Sequence, residues 1–115
     1  MGVKAWYGFD LDGTIAKYSV WKGPNHIGAP LSPAIDYLKK MLEDGKTCKI
    51  FTDRVSSIYS PEERKIAEQA IKEWCLQYVG QELEITAEKD TSLIEYYDDK
   101  AIRVDFNTGK ICFPK

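Results

Sequence analysis

The sequence lacks the features that mark secreted, membrane-spanning and polyanion-binding proteins. It contains no run of about 20 apolar residues, the length needed to cross a bilayer. Its first ten residues carry Lys4, lead into Asp10 and show no cleavable signal pattern. Lys and Arg number 16 against 18 Asp and Glu, a formal charge of −2, which argues against a general polyanion binder. We therefore expect a cytoplasmic protein.

Ligands for a structural zinc are also scarce. The chain has one histidine, and its cysteines, Cys48, Cys75 and Cys112, are far apart with neither a C-x-x-C pair nor zinc-ligand spacing. This pattern predicts three reduced thiols in a core. The remaining composition, 43% hydrophobic and 30% charged, is typical of a globular domain. The length of 115 residues predicts one domain, residues 1–115.

Strand-like and helix-like segments alternate along the chain. Strands are predicted at residues 3–9, 47–51, 83–86, 93–97, 101–106 and 111–113, the last two joined by a hairpin turn. One helix is predicted over residues 33–44 with Ser32 as its N-cap, and a second runs from a capping box at Ser60 and Glu63 to Gly80. The predicted fold class is α/β: a three-layer, Rossmann-like, largely parallel sheet with helices on its faces and an antiparallel hairpin at its C-terminal edge.

Polar residues follow each of the first four predicted strands, where open α/β sheets bind ligands. In chain order these residues are Asp10 and Asp12, Thr52, Lys89, and Asp98 with Asp99. Carboxylates on one rim repel one another unless a cation joins them, and hard oxygen ligands favour Mg²⁺. A lysine and a hydroxyl beside that ion indicate a phosphoryl group as the shared ligand.

The run from Phe9 to Thr14, FDLDGT, resembles the first motif of the haloacid dehalogenase-like superfamily, a hydrophobic strand followed by D-x-D-G-T. Thr52 after Ile50-Phe51 is similar to the second motif, Lys89 to the lysine of the third, and Tyr97-Asp98-Asp99 to the double-acid form of the fourth. The four motifs occur in family order over residues 3–106. The resemblance implies a phosphatase that hydrolyses a phosphomonoester through an aspartyl-phosphate.

The resemblance also implies a role for each residue. Asp10 would be the nucleophile, and Asp12 would protonate the leaving oxygen and then deprotonate the attacking water. This second carboxylate favours a phosphatase over a dehalogenase, since carbon–halogen cleavage leaves no alkoxide to protonate. Thr52 would bind a phosphoryl oxygen. Lys89 would neutralise the transferring group, although spacing does not exclude Lys46 or Lys100.

The implied cofactor is Mg²⁺, held by Asp10, the main-chain carbonyl of Asp12, and Asp98 or Asp99. Extended backbone geometry sends Asp10 and Asp12 the same way and turns Leu11 into the core. Gly13 then permits a sharp exit that a side chain would block.

The chain departs from the family pattern in having little room for extra structure. Only eight residues separate Lys89 from Asp98, so a helix is missing and one sheet face is left bare, to be covered by a homodimer contact or by Tyr96, Tyr97 and Trp21. Both intervals that commonly hold a cap domain are filled by one helix each. We expect a capless site, a flap at residues 16–31, and either a large substrate, such as a phosphorylated protein or a nucleic-acid end, or a partner subunit as lid.

Two alternatives differ in class. A non-enzymatic phospho-acceptor resembling a response-regulator receiver domain also combines acids, a hydroxyl and a lysine at strand ends, but in a different order and without an acid–base residue like Asp12. A degenerate member that binds phosphate or a partner without catalysis is the other. His26, Trp21 and Arg54 lie in loops near the predicted rim, where packing is their commoner role.

Overall fold

The computed structural model describes residues 4–114 as four parallel strands, two α-helices and a C-terminal hairpin. The order along the chain is β1 (Trp6–Asp10), α1 (Ser32–Glu43), β2 (Cys48–Phe51), a 3-10 turn (Asp53–Val55), α2 (Pro61–Tyr78), β3 (Glu84–Thr86), β4 (Leu93–Tyr97), β5 (Arg103–Val104) and β6 (Ile111–Cys112). The main sheet has the order β3-β2-β1-β4 with every pair parallel. The predicted α/β class, a parallel sheet flanked by helices, is confirmed. Within residues 4–114, no helix is both long enough and apolar enough to span a membrane.

The hydrophobic core lies between the two helices and one face of this sheet. Strand alternation sends Phe9 of β1 and the pair Cys48 and Ile50 of β2 to that face, where all three are buried. The helices bury their apolar stripes in the same cluster, Ile35, Leu38 and Met41 from α1 and Ile71, Trp74 and Cys75 from α2. Both crossovers therefore pack on one side of the sheet, so residues 4–114 form two layers, and the predicted third layer, a helix on the other face, is absent from them.

The opposite face carries aromatic side chains where a helix is missing. As the short sequence interval predicts, β3 and β4 are joined by residues 87–92 without a helix. The ring centroid of Phe51 lies 6.5 Å from that of Trp6 and 4.8 Å from that of Tyr96. Trp6 is fully buried, and its indole N–H donates to the Asp90 carboxylate at 2.9 Å. The bare face is thus partly covered by its own side chains.

Two of the three aromatic residues expected on that face lie elsewhere. Tyr96 is there, but Tyr97 follows it in the pleat and stacks on Phe9 on the helical side, with ring centroids 4.6 Å apart. Trp21 instead stacks on Tyr59, at 5.6 Å, beside the cleft described below. These two parts of the prediction are wrong because adjacent strand residues point to opposite faces and because the loop holding Trp21 folds over the rim.

The helix termini follow the predicted signals with one exception. Ser60 accepts a hydrogen bond from the Glu63 amide at 3.1 Å, and Glu63 accepts one from the Ser60 amide at 3.2 Å, so the predicted capping box is confirmed. The prediction that Ser32 caps α1 is wrong. Leu31 is the N-cap, and its own amide donates to the Ile15 carbonyl at 2.8 Å, so tertiary structure rather than a side chain sets this helix start.

The C-terminal hairpin is antiparallel as predicted and forms a two-stranded sheet of its own rather than a continuation of the main sheet. Its strands are shorter than predicted, and Asn107 with φ of 61° and Gly109 with φ of 75° form the turn. Cys112 in β6 is exposed, so the prediction of three core thiols is wrong for this residue. Cys48 is buried, and that burial raises the pKa of its thiol to about 11.

Candidate functional site

An open cleft of about 410 Å³ lies at the carboxyl ends of β1, β2 and β4. It is lined by five carboxylates against one lysine, namely Asp10, Asp12, Asp53, Asp98, Asp99 and Lys100. Aromatic side chains of Tyr18, Trp21, Phe51, Tyr59 and Tyr96 form the rest of its wall. Such an excess of negative charge in a partly enclosed space repels an anionic ligand unless a cation accompanies it.

Three of these carboxylates converge. Asp10, Asp98 and Asp99 can each place an oxygen within 4.8 Å of the other two. The cause is strand pairing, because Phe9 is the register partner of Tyr97, and the acids are the residues that follow. In octahedral coordination at about 2.1 Å, neighbouring oxygens are about 3.0 Å apart and opposite ones about 4.2 Å apart, so side-chain adjustments of at most about 2 Å would let the three carboxylates share one Mg²⁺. The structure brings these acids together as the sequence predicts.

The close approach of the carboxylates changes their protonation. Burial, a hydrogen bond to Asp98, the negative charge of Asp98 and a hydrogen bond to Asp99 together raise the pKa of Asp10 to about 7. At Asp98 burial acts in the same direction, but the Lys100 amide, the shared proton with Asp10 and further donors outweigh it, so its pKa is lowered. Without a cation, the pair therefore holds one proton between them below about pH 7 and loses it as the pH rises through that value.

Asp98 is fixed by the chain that follows it. Its Oδ2 accepts hydrogen bonds from the amides of Lys100 at 3.0 Å and Ala101 at 2.9 Å, and its Oδ1 accepts one from the Tyr96 hydroxyl at 3.3 Å. Burial and the charges of Asp10 and Asp98 raise the pKa of Tyr96, so its hydroxyl stays a proton donor. Asp99 is exposed. Asp98 is thus the positioned member of the pair and Asp99 the more accessible one.

The turn after β1 orients the first acid. Leu11 is fully buried, as predicted, and its carbonyl accepts from the amides of Ile15 and Ala16 in a single helical turn. Gly13 has φ of +87°, and a Cβ there would lie 2.8 Å from Oδ2 of Asp99. The predicted need for glycine is confirmed on both counts. The Thr14 hydroxyl donates to Oδ2 of Asp10 at 3.3 Å, a contact that the sequence reasoning missed.

The other acid of the first motif is held by an arginine. Arg54 Nε donates to Oδ2 of Asp12 and Nη2 donates to Oδ1, each at 2.8 Å, a bidentate ion pair. The Arg54 side chain is only 3% exposed and that of Asp12 is 20% exposed. Arg54 is thus the main site residue that the sequence analysis missed, because packing is the commoner role of such a loop residue. Its one sequence signal was a basic residue three positions after the end of β2, in the turn that follows the second motif.

Arg54 also anchors the loop formed by residues 16–31. Its Nη1 donates to the carbonyls of His26 at 2.7 Å and Pro24 at 3.4 Å, and its guanidinium carbon lies 4.9 Å from the Trp21 ring centroid. On the far side of this loop, the Trp74 indole N–H of α2 donates to the Gly28 carbonyl at 2.9 Å. The loop stands beside the cleft where the flap is expected, and its mobility stays a prediction.

The hydroxyl of the second motif is buried at the end of β2. Thr52 is 2% exposed, and its Oγ1 accepts from the Arg54 amide at 3.2 Å, capping the 3-10 turn. It lies on the strand next to β1, directly after Phe51, the register partner of Asp10. Its role toward a phosphoryl group stays a prediction.

The lysine assignment needs correction. The structure does not bring Lys89 into the cleft: Lys89 is exposed on the crossover from β3 to β4, and its neighbour Asp90 contacts Trp6 at the start of β1, the opposite end of that strand from Asp10. Lys46 precedes β2, at the opposite end of the strand from the acids, with its ammonium 5.8 Å from the Tyr7 ring centroid. Lys100 lines the cleft directly after the acid pair. Of the three candidates, Lys100 is the one placed to meet an anion there.

Comparison with known proteins supports the fold alone. No protein-family model matches the sequence, and no curated protein matches it. A conserved protein from Bacteroides thetaiotaomicron has a similar structure, with a TM-score of 0.54 and 19% sequence identity. The match covers 86% of this chain and 78% of that one. This similarity agrees with the α/β architecture and carries no information about activity.

Proposed function

We propose that this protein is a Mg²⁺-dependent phosphomonoesterase that works through an aspartyl-phosphate on Asp10. The observation that carries the proposal is the meeting of Asp10 with Asp98 and Asp99 at the carboxyl ends of two paired parallel strands. The order of the residues along the chain, with D-x-D-G-T first and the double acid last, resembles the haloacid dehalogenase-like superfamily.

The donor set fits a small divalent cation. Asp10, Asp98 and Asp99 offer three carboxylate oxygens, the ligand type that Mg²⁺ prefers, and the raised pKa of Asp10 reflects its burial together with the hydrogen bond to Asp98 and the negative charge of Asp98. A bound Mg²⁺ would supply positive charge that offsets the charge of a phosphoryl group. The predicted contribution of the Asp12 main-chain carbonyl to the same ion remains part of the proposal.

The proposed reaction has two displacements. In the first, a carboxylate oxygen of Asp10 bonds to phosphorus, the bond from phosphorus to the leaving oxygen breaks, and Asp12 gives a proton to that oxygen. In the second, water bonds to phosphorus after losing a proton to Asp12, and the bond between phosphorus and Asp10 breaks to release inorganic phosphate. Thr14, which donates to Asp10, orients the nucleophile, and Lys100 faces the anion from the cleft wall.

The ion pair with Arg54 places a condition on Asp12. Both oxygens of Asp12 accept hydrogen bonds from the guanidinium, so before the first displacement Asp12 has to exchange one of these bonds and take up a proton from water, which it then gives to the leaving oxygen. Until then Arg54 holds the carboxylate in one orientation. We regard Arg54 as a positioning residue that acts through Asp12.

The substrate we propose is a phosphomonoester on a large molecule, such as a protein or a nucleic-acid end. The support is the open cleft, which has no cap domain among residues 4–114 and is bordered on one side by the 16–31 loop. A substrate whose own bulk covers the cleft would exclude water from the reacting phosphorus.

Hydrolysis of an aryl phosphate by the purified chain tests the proposal. We expect turnover that depends on Mg²⁺, and loss of at least about a thousandfold in Asp10→Asn, since the nucleophile is removed. Asp36→Asn, an equivalent change at an exposed position on α1, should retain full activity. Undiminished turnover in a folded Asp10→Asn variant would contradict the proposal. A phosphorylated protein that persists for many minutes without turnover would instead favour the phospho-acceptor alternative.

A further inference from the structure

The C-terminal hairpin presents an apolar face with no counterpart among residues 4–114. Val104 and Ile111 are register partners in β5 and β6, so their side chains lie on the same face. Continuing this alternation by one pair places Ile102 and Phe113 there too, and Phe106 stands at the adjoining turn. The five residues, which we call the hairpin face, are exposed by 48–85%.

The other side of the hairpin is polar. Arg103 and Cys112 form the neighbouring register pair and point away from the hairpin face, as do Asp105 and Lys110, whose backbones are hydrogen bonded at 2.8 Å. This division into an apolar and a polar side is the pattern of a sheet that packs on one face only. An isolated two-stranded hairpin is at best marginally stable in water, so its apolar face needs a partner.

We propose that the hairpin face is a homodimer interface on which the same face of a second copy packs. The hairpin face carries no charged side chain, so an identical copy meets no like-charge repulsion, while the charged side chains of both hairpins stay in water. Taking about 200 Å² for a large exposed side chain, the five residues expose roughly 600 Å². Two copies would bury about 1,200 Å², the lower end of specific interfaces, and one such patch already equals the largest on a typical monomer.

The hairpin face begins close to the acid pair of the cleft along the chain. Only three residues separate Asp98 from the start of the hairpin face, and the last two of them, Lys100 and Ala101, donate their amides to the Asp98 carboxylate. The hairpin therefore leaves the main sheet at the acid pair, in a direction fixed by that carboxylate. The second copy would lie next to the mouth of the cleft.

Sedimentation equilibrium of the full chain, from about 5 to about 500 μM with a reducing agent, tests the interface. We expect a mass approaching twice the 13.1 kDa of one chain. Ile111→Glu should weaken the dimer at least about tenfold, because a charge would be buried in the apolar contact. Cys112→Glu, the next residue on the same strand but on the polar side, should change it less than about threefold. The tryptophan fluorescence of both variants should be unchanged, because the hairpin forms a sheet separate from the main one.

Two further measurements guard against misfolding of the Glu variant and against a different interface. Phe113→Ser removes exposed apolar area without adding charge, and it should weaken the dimer as well. A spin label on exposed Cys112 should report an inter-copy distance of roughly 20–30 Å, since packed sheets are about 10 Å apart and the labels point outward. A monomer over the whole range, equal effects of Ile111→Glu and Cys112→Glu, no effect of Phe113→Ser, or a distance beyond about 30 Å would each overturn the proposal.

Discussion

Removing the guanidinium of Arg54 should destabilise the protein far more than removing any exposed charge. Removing one partner of a buried ion pair lowers the free energy of unfolding by about 3–5 kcal/mol, because the other charge is left buried without a counter-charge. Asp12 is 20% exposed, so water recovers part of that loss, while the lost bond to the His26 carbonyl adds about 1 kcal/mol. For Arg54→Met we therefore expect about 3 kcal/mol, a large share of the 5–15 kcal/mol that holds a typical domain folded.

Urea unfolding followed by tryptophan fluorescence measures this loss. With a slope of about 1.5 kcal/mol per molar urea, the midpoint should fall by about 2 M. Asp12→Asn should cost about 2 kcal/mol, since the buried guanidinium loses its counter-charge. In the double variant the two losses should overlap by about 2 kcal/mol, because each single change breaks the same pair.

Arg103→Met is the control, an arginine removed from an exposed position, with an expected change below about 0.5 kcal/mol. The reasoning is refuted if Arg54→Met lies within about 1 kcal/mol of the wild type, or if the Arg54 and Asp12 effects add without overlap. The first result would mean that Arg54 is solvated in solution, and the second that it does not pair with Asp12.

The remaining predictions concern the acid cluster. Gly13→Ala should cost about 1–3 kcal/mol through its positive φ and should also weaken Mg²⁺ binding measured by calorimetry, because the new methyl group displaces Asp99. Gly45→Ala, at φ of +82° with no atom near, should lose similar stability and keep its Mg²⁺ affinity; equal affinities in both variants would contradict this. The unfolded chain releases the Asp10 proton near pH 4 and the folded chain holds it to about pH 7, so stability without metal should fall as pH rises through that window. Because solvent screens the charges, we expect this pH-dependent loss of stability to be about 1–2 kcal/mol. Urea titrations at several pH values should show that Asp10→Asn removes the loss. The lowered pKa of Asp98 has the opposite effect on stability, and only below about pH 4.

The parts of the structure that the sequence predicts well are those set by local signals or by strand order. The capping box at Ser60 needs only neighbouring residues, and the glycine after the D-x-D segment follows from the turn it must make. The meeting of Asp10 with Asp98 and Asp99 follows once their strands are parallel neighbours, because parallel strands end at the same edge.

The parts that sequence reasoning misses depend on contacts between distant segments. The pairing of Arg54 with Asp12 joins a 3-10 turn to the turn after β1, and no spacing rule connects the two positions. The choice among three lysines required knowing the path of the crossover from β3 to β4, which carries Lys89 outside the cleft and past the start of β1. The exposure of Cys112 follows from a hairpin that is separate from the main sheet, although residue type alone favours a buried thiol.

The position of β4 at the edge of the sheet ties the acid cluster to folding. The pairing of β1 with β4 joins residues as distant in the chain as Trp6 and Leu93, so it closes a long loop at a high entropic cost. Repulsion among Asp10, Asp98 and Asp99 acts at the end of this same pairing and therefore weakens the attachment of the edge strand β4 to β1. A divalent cation shared by the three carboxylates would replace this repulsion with attraction and stabilise the pairing of β4 with β1. In this architecture the ion would therefore contribute to folding stability as well as to catalysis.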